Sequence, residues 1–147
     1  MNNAILATPG TATWTIPAGV TSVIAELFGA GGGGGSTTNI GGDGAYLRMA
    51  LTALTPGNTI AYTVGAGGAA GNPGVAGGAT IFGGISCAGG GAGSNGAAGT
   101  NADIVQVPGA GVIEQRNPFF AGGDHRVFVR GGAINAVGEN GMIVIRW

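Results

Sequence analysis

The stretch Gly65-Ala66-Gly67-Gly68-Ala69-Ala70-Gly71-Asn72-Pro73-Gly74-Val75-Ala76-Gly77-Gly78 decides how this chain is read. Gly65, Gly68, Gly71, Gly74 and Gly77 recur at every third position. That spacing matches neither the α-helical period of about 3.6 nor the strand period of about 2. It matches a left-handed helix of the polyproline-II type, with about three residues per turn and no hydrogen bonds to itself. The same beat returns at Gly90, Gly93, Gly96 and Gly99, and the run Gly29 to Gly35 continues in phase at Gly41 and Gly44. Backbone groups that leave water need partners, and a face without Cβ atoms lets another backbone come close. The tracts are therefore expected to pair with one another, or with copies in neighbouring chains, as scaffold.

Composition narrows the function classes. Charged residues make up only 7% of the chain, against about 25% in ordinary globular proteins. Yet 44% of residues are apolar, which argues for a folded object rather than a disordered one. There is no lysine, and five arginines face six acids, for a net charge of −1. A nucleic-acid binder needs a concentrated basic face, so that class is set aside. So weakly charged a surface predicts assembly into a homo-oligomer. The single cysteine, Cys87, excludes an intrachain disulfide and is expected to be a small buried residue. The first ten residues lack the pattern of a signal peptide. No apolar run approaches the roughly 20 residues of a spanning helix, so no membrane insertion is expected.

Around the glycine tracts the pattern is β. Thr11 to Ile16 alternates, Pro17-Ala18-Gly19 turns, and Thr21 to Phe28 alternates again. Ala45 to Leu51 and Asn58 to Val64 flank the turn signal Leu54-Thr55-Pro56-Gly57 and read as an antiparallel hairpin. Ala79 to Phe82 and Ile85 to Ala88 read as brief β corners, and Met142 to Trp147 as a closing strand. No stretch carries a helical period. The expected fold is all-β: one domain over 1–147, a small β-sandwich with polyglycine-II-type segments and no substantial α-helix. Its predicted core is Trp14, Ile16, Val23, Leu27, Leu47, Met49, Leu51, Ile60, Tyr62, Val64, Ile143, Ile145 and Trp147. That core is small for the chain length, so backbone hydrogen bonding and contact between subunits are expected to supply stability.

The segment 101–130 breaks the triplet beat and reads as a loop-like insertion, with His125 to Arg130 as a short strand. Long loops on rigid scaffolds are where binding residues gather. Arg116, Asn117, Phe119, Phe120, Asp124, His125 and Arg126 are its candidate receptor-binding residues, because arginine and aromatic side chains dominate binding hot spots. Packing of Phe119 and Phe120 against the core or a neighbouring subunit is the plainer alternative.

Catalytic signals are weak. Gly29-Ala30-Gly31-Gly32-Gly33-Gly34 satisfies a dinucleotide fingerprint, but so does any glycine run, and no helix start follows it. Asp124 and His125 are adjacent and would point to opposite faces of a strand, so they do not form a dyad. One histidine and one cysteine supply no metal-ligand spacing. No catalytic residue, metal or cofactor is expected, and the chain is not read as an enzyme.

The opening Trp14-Thr15-Ile16-Pro17-Ala18-Gly19-Val20-Thr21-Ser22-Val23, followed by Phe28 and the glycine run to Gly35, resembles the glycine-rich domains of bacteriophage tail fibres and related adhesin-like virion proteins. Leu54-Thr55-Pro56-Gly57, Thr63 to Gly68, Gly77 to Gly83 and Gly141 to Trp147 match later parts of that pattern, about two-thirds of the chain in all. The resemblance implies stacked polyglycine-II helices whose connecting loops meet the host surface. It also implies a small virion component assembled in the host cytoplasm, a trimer by analogy, in contact with other virion proteins. As a fibre or spike tip it would bind a host cell-surface glycan or outer-membrane protein. As a capsid decoration or head-fibre protein its role would be structural.

Overall fold

The computed structural model describes residues 1–35, 39–93, 111–116 and 131–147. It is all-β, with no α-helix among the described residues. The strands are β1 (Asn3–Leu6), β2 (Gly10–Thr15), β3 (Val23–Phe28), β4 (Tyr46–Leu51), β5 (Thr59–Val64), β6 (Thr80–Phe82), β7 (Ile85–Cys87), β8 (Gly111–Arg116) and β9 (Met142–Arg146). They form a five-stranded sheet, β1-β9-β3-β4-β8, and a four-stranded sheet, β2-β5-β6-β7. Every pairing is antiparallel.

The alternation read from the sequence decides which side chains meet between the sheets. Val23, Ala25 and Leu27 of β3 face inward with Leu47 and Met49 of β4 and with Ile143 and Ile145 of β9. Phe82, Ile85, Cys87 and Val64 close the core from the other sheet. Each fully buried aliphatic or aromatic side chain contributes about 1.5–3 kcal/mol. Of the predicted core, Ile16, Val23, Leu27, Leu47, Met49, Val64, Ile143 and Ile145 are buried. Trp14, Leu51, Ile60, Tyr62 and Trp147 are partly buried and pack against it. Trp14 meets Phe82 and Trp147, with ring centroids 6.1 and 5.6 Å apart.

Three expectations change. The segments around Leu54-Thr55-Pro56-Gly57 are not a hairpin: β4 pairs with β3 and β8, and β5 with β2 and β6. The connection crosses from one sheet to the other, tied down by Leu54 N–H donating to Thr21 O and Gly57 N–H donating to Ile16 O. The brief corners β6 and β7 are themselves a hairpin, turned at Gly83 and Gly84 with φ of +60° and +82°, a region L side chains avoid. Gly111–Arg116, inside the segment 101–130, is a strand on the edge of the five-stranded sheet.

The glycine tracts form a bundle that continues the strands. Residues 29–35, running on from β3, donate with strict threefold rotation. Gly29, Gly32 and Gly35 donate to Ala45, Gly42 and Asn39; Ala30 and Gly33 to Gly78 and Val75; Gly31 and Gly34 to Glu139 and Ala136. Their carbonyls accept with the same rotation. Gly68 and Gly71 donate to Gly31 and Gly34, Gly90 and Gly93 to Ala30 and Gly33, and Gly132 and Asn135 to Gly32 and Gly35. One threefold helix thus sits inside six others, of which three run parallel to it and three antiparallel, alternating around the ring. Bonds between ring members close the circle, among them Gly41 to Gly132, Gly138 to Gly68, Val75 to Ala69, Gly77 to Gly90 and Gly42 to Gly91. Among the described residues, the pairing expected of the tracts is therefore met within one chain; Gly96 and Gly99 lie outside them.

Close approach makes glycine obligatory at the contacts. A Cβ on Gly32 of the central helix would lie 1.9 Å from Gly91 O, and one on Gly41 of the ring 1.9 Å from Gly32 O. Both separations are far inside van der Waals contact. Gly32→Ala and Gly41→Ala should each destabilise the protein by more than about 2 kcal/mol, as overpacking at a rigid backbone does. Ala69→Gly, at an exposed ring position, should cost at most about 1 kcal/mol. Urea unfolding checks the contrast, and a wild-type midpoint for Gly32→Ala contradicts the packing.

Cys87 fills the place expected of it. Its thiol lies in the core and donates to Ala45 O at 3.1 Å. Burial pushes its pKa from 9.0 up to about 12, partly offset by a backbone hydrogen bond from Gly29. Alkylation of the folded protein at mildly alkaline pH should be slower than that of the unfolded chain by on the order of a thousandfold. The folded thiol holds its proton longer than the unfolded one. Its contribution to stability is therefore complete below pH 9.0 and declines as pH rises toward about 12. Iodoacetamide labelling across a pH series measures both effects.

Candidate functional site

The bundle has two unlike ends. At one end its helices run directly into β3, β4, β5, β6, β7 and β9. At the other, the far end, the chain passes from Gly35 to Asn39, reverses at the cis Asn72–Pro73 peptide, and reverses again at Asn135. Asn135 has φ of +54°, a conformation asparagine tolerates better than most side chains. Asn39, Asn72 and Asn135 thus mark three of the reversals there.

Just below this end the ring carries aliphatic side chains that point into solvent. Ile40, Val75, Ile134 and Val137 are 55, 55, 50 and 65% exposed. The hydrogen-bond register places all four at the level of Gly33 and Gly34 of the central helix. Ile40, Ile134 and Val137 stand on three consecutive ring members, so the belt is continuous on that side. Sequence reasoning overlooked Ile134 and Val137, because Gly132, Gly138 and Gly141 keep the triplet beat while Asn135 interrupts it. A surface of amides and aliphatics suits recognition by shape and hydrogen bonding.

Of the residues singled out from the sequence, Arg116 is the last residue of β8 and pairs in register with Tyr46. Asn117, Phe119, Phe120, Asp124, His125 and Arg126 lie outside the described residues, as does the strand expected over His125 to Arg130. The described flanks of that segment lie near where sheet joins bundle. Arg116 ends beside Tyr46, and Gly131 N–H donates to Asp43 Oδ1 at 2.8 Å. Arg116 and Gly131, the described residues on either side of 117–130, thus both stand at the waist of the molecule.

On β3, β4 and β9 the charged side chains gather around Glu26. Glu26 forms an ion pair with Arg146, has Arg48 Nε at 3.9 Å, and accepts from Tyr46 OH at 3.0 Å. Phe28 and Val144 are buried nearby on the same face, with Tyr46 and Met142 against them. This arrangement orders the outer face of the sheet and leaves Glu26 held by cations. Among the described residues no group of three or more His, Cys, Asp or Glu could hold a metal ion. No helix among them is long and apolar enough to cross a membrane.

No curated protein matches the chain. A family model described as a glycine-rich domain spans residues 7–146, nearly the whole sequence, and takes in the bundle and every strand except β1. The chain belongs to that family of glycine-rich domains.

Proposed function

We propose that the chain is a bacteriophage virion structural protein, a tail-fibre or spike tip that displays loops for binding the host cell surface. The observation that carries this reading is the bundle: one threefold helix enclosed by six and rooted in a sandwich, a frame that fixes both the reversals at its far end and, at its waist, Arg116 and Gly131 on either side of residues 117–130. Such a frame holds its connections at fixed separations, which is the geometry of display. The resemblance of Trp14 to Gly35 and Gly141 to Trp147 to phage adhesin-like domains supports the same reading. Its partners are other virion proteins, copies of itself, and a surface glycan or outer-membrane protein of the host. The binding side chains are taken from Arg116, Asn117, Phe119, Phe120, Asp124, His125 and Arg126.

The experiment is adsorption competition. Purified protein should bind susceptible cells saturably and block attachment of the phage that carries it. Phe119→Ala with Phe120→Ala should weaken cell binding by at least about tenfold, the loss expected at a hot spot, with the melting temperature unchanged. Placement on the capsid by electron microscopy, with no effect on adsorption, would instead assign it as a capsid decoration or head-fibre protein.

A further inference from the structure

We propose that β2 is a self-pairing edge. Two copies of the chain would join their Gly10–Thr15 strands antiparallel about a two-fold axis through Thr13, merging two four-stranded sheets into one.

The four sheet edges among the described residues are unequal, and the comparison carries the proposal. An exposed strand edge is a template for pairing, and proteins blunt it with short strands, charges, proline or bulges. β7 has three residues and β1 four. β8 carries Glu114 and Arg116, and its register with β4 shifts between Arg48 and Met49. β2 uses none of these devices. It has six residues, Gly10-Thr11-Ala12-Thr13-Trp14-Thr15, with no charge and no proline, and it pairs with β5 in unbroken register. All of it except Trp14 is exposed.

Backbone direction specifies how a second copy would fit. Ile16 N–H donates to Asn58 O, toward β5. Because successive residues of a strand alternate in the direction of their backbone groups, Thr11, Thr13 and Thr15 turn their N–H and C=O groups away from β5. An antiparallel copy centred on Thr13 sets Thr13 against Thr13, and Thr11 against Thr15 on both sides. Every outward donor then meets an outward acceptor. The outer face here is hydroxylated, with Thr11 Oγ1 and Thr63 Oγ1 3.0 Å apart and Thr13, Thr15 and Thr59 beside them. With no apolar face to cover, the edge itself is the sticky element. Near-absence of charge on this strand leaves nothing to repel a second copy.

The surface is independent of host binding, and its test reads mass rather than adsorption. Light scattering coupled to size exclusion should give a dimer for the wild-type chain. Thr13→Lys should shift the dimer–monomer equilibrium toward monomer by at least about tenfold, since it sets two like charges together at the axis. Its melting temperature at low concentration should match wild type. Thr13→Cys should be cross-linked to a dimer by a short bismaleimide, whereas Ala66→Cys on the bundle should not; Cys87, in the core, stays silent. A wild-type monomer, a trimer, or a Thr13→Lys dimer as tight as wild type would each overturn the proposal.

Discussion

A threefold helix cannot satisfy its own backbone, and the rest of this molecule follows from that deficit. Residues 29–35 enter the middle of the fold with seven N–H groups and no internal bonds to give them. Burying them is tolerable only if each finds an acceptor in another segment. Three segments supply those acceptors and three more donate to the carbonyls of the same helix, and all six can come close enough only where no side chain intervenes. The glycine content is therefore a geometric requirement of enclosure, and the short separations at Gly32 and Gly41 mark where it is strictest.

The sandwich and the bundle solve different problems with the same strands. Apolar alternation on β3, β4, β5 and β9 builds a conventional core, which is where the burial of side chains stabilises the chain. Beyond Phe28, Val64 and Cys87 the same segments lose their side chains and become backbone-bonded helices. The sandwich thus sets the order in which helices leave it, and the bundle holds that order to its far end. Among the described residues, the central helix finds its hydrogen-bond partners within its own chain.

Much of this was legible in the residues. The positions Gly68, Gly71, Gly74, Gly77, Gly41, Gly44, Gly90 and Gly93, picked out by spacing, are ones that lie against the central helix or its immediate ring neighbours. The central role of Gly31 to Gly35 was not legible. A run of glycines satisfies every motif, and only the structure shows that a helix contacted on all sides needs small residues at nearly every place. Ala30, fully buried, is the one side chain admitted there. Residues 131–141 escaped because Ile134, Asn135 and Val137 disguise the beat where the chain reverses. Strand pairing escaped at β4 and β5, since nearness in sequence says little once a connection can cross between sheets. Phe82 and Ile85 were underrated because three-residue strands show too little alternation to reveal a face. For the candidate site, composition identified a segment of interest, and the structure adds the positions of Arg116 and Gly131 and the separate belt at the far end.

The lean side-chain content of the bundle bears on temperature. Heat capacity rises when unfolding wets hydrocarbon and falls when it wets peptide groups. Melting the helices around residues 29–35 would expose chiefly peptide, so this half of the molecule adds little to the curvature of the stability profile. The decline toward the cold that hydrophobic cores show is then confined to the sandwich, and the glycine half stays comparably sound from warm conditions down to near freezing.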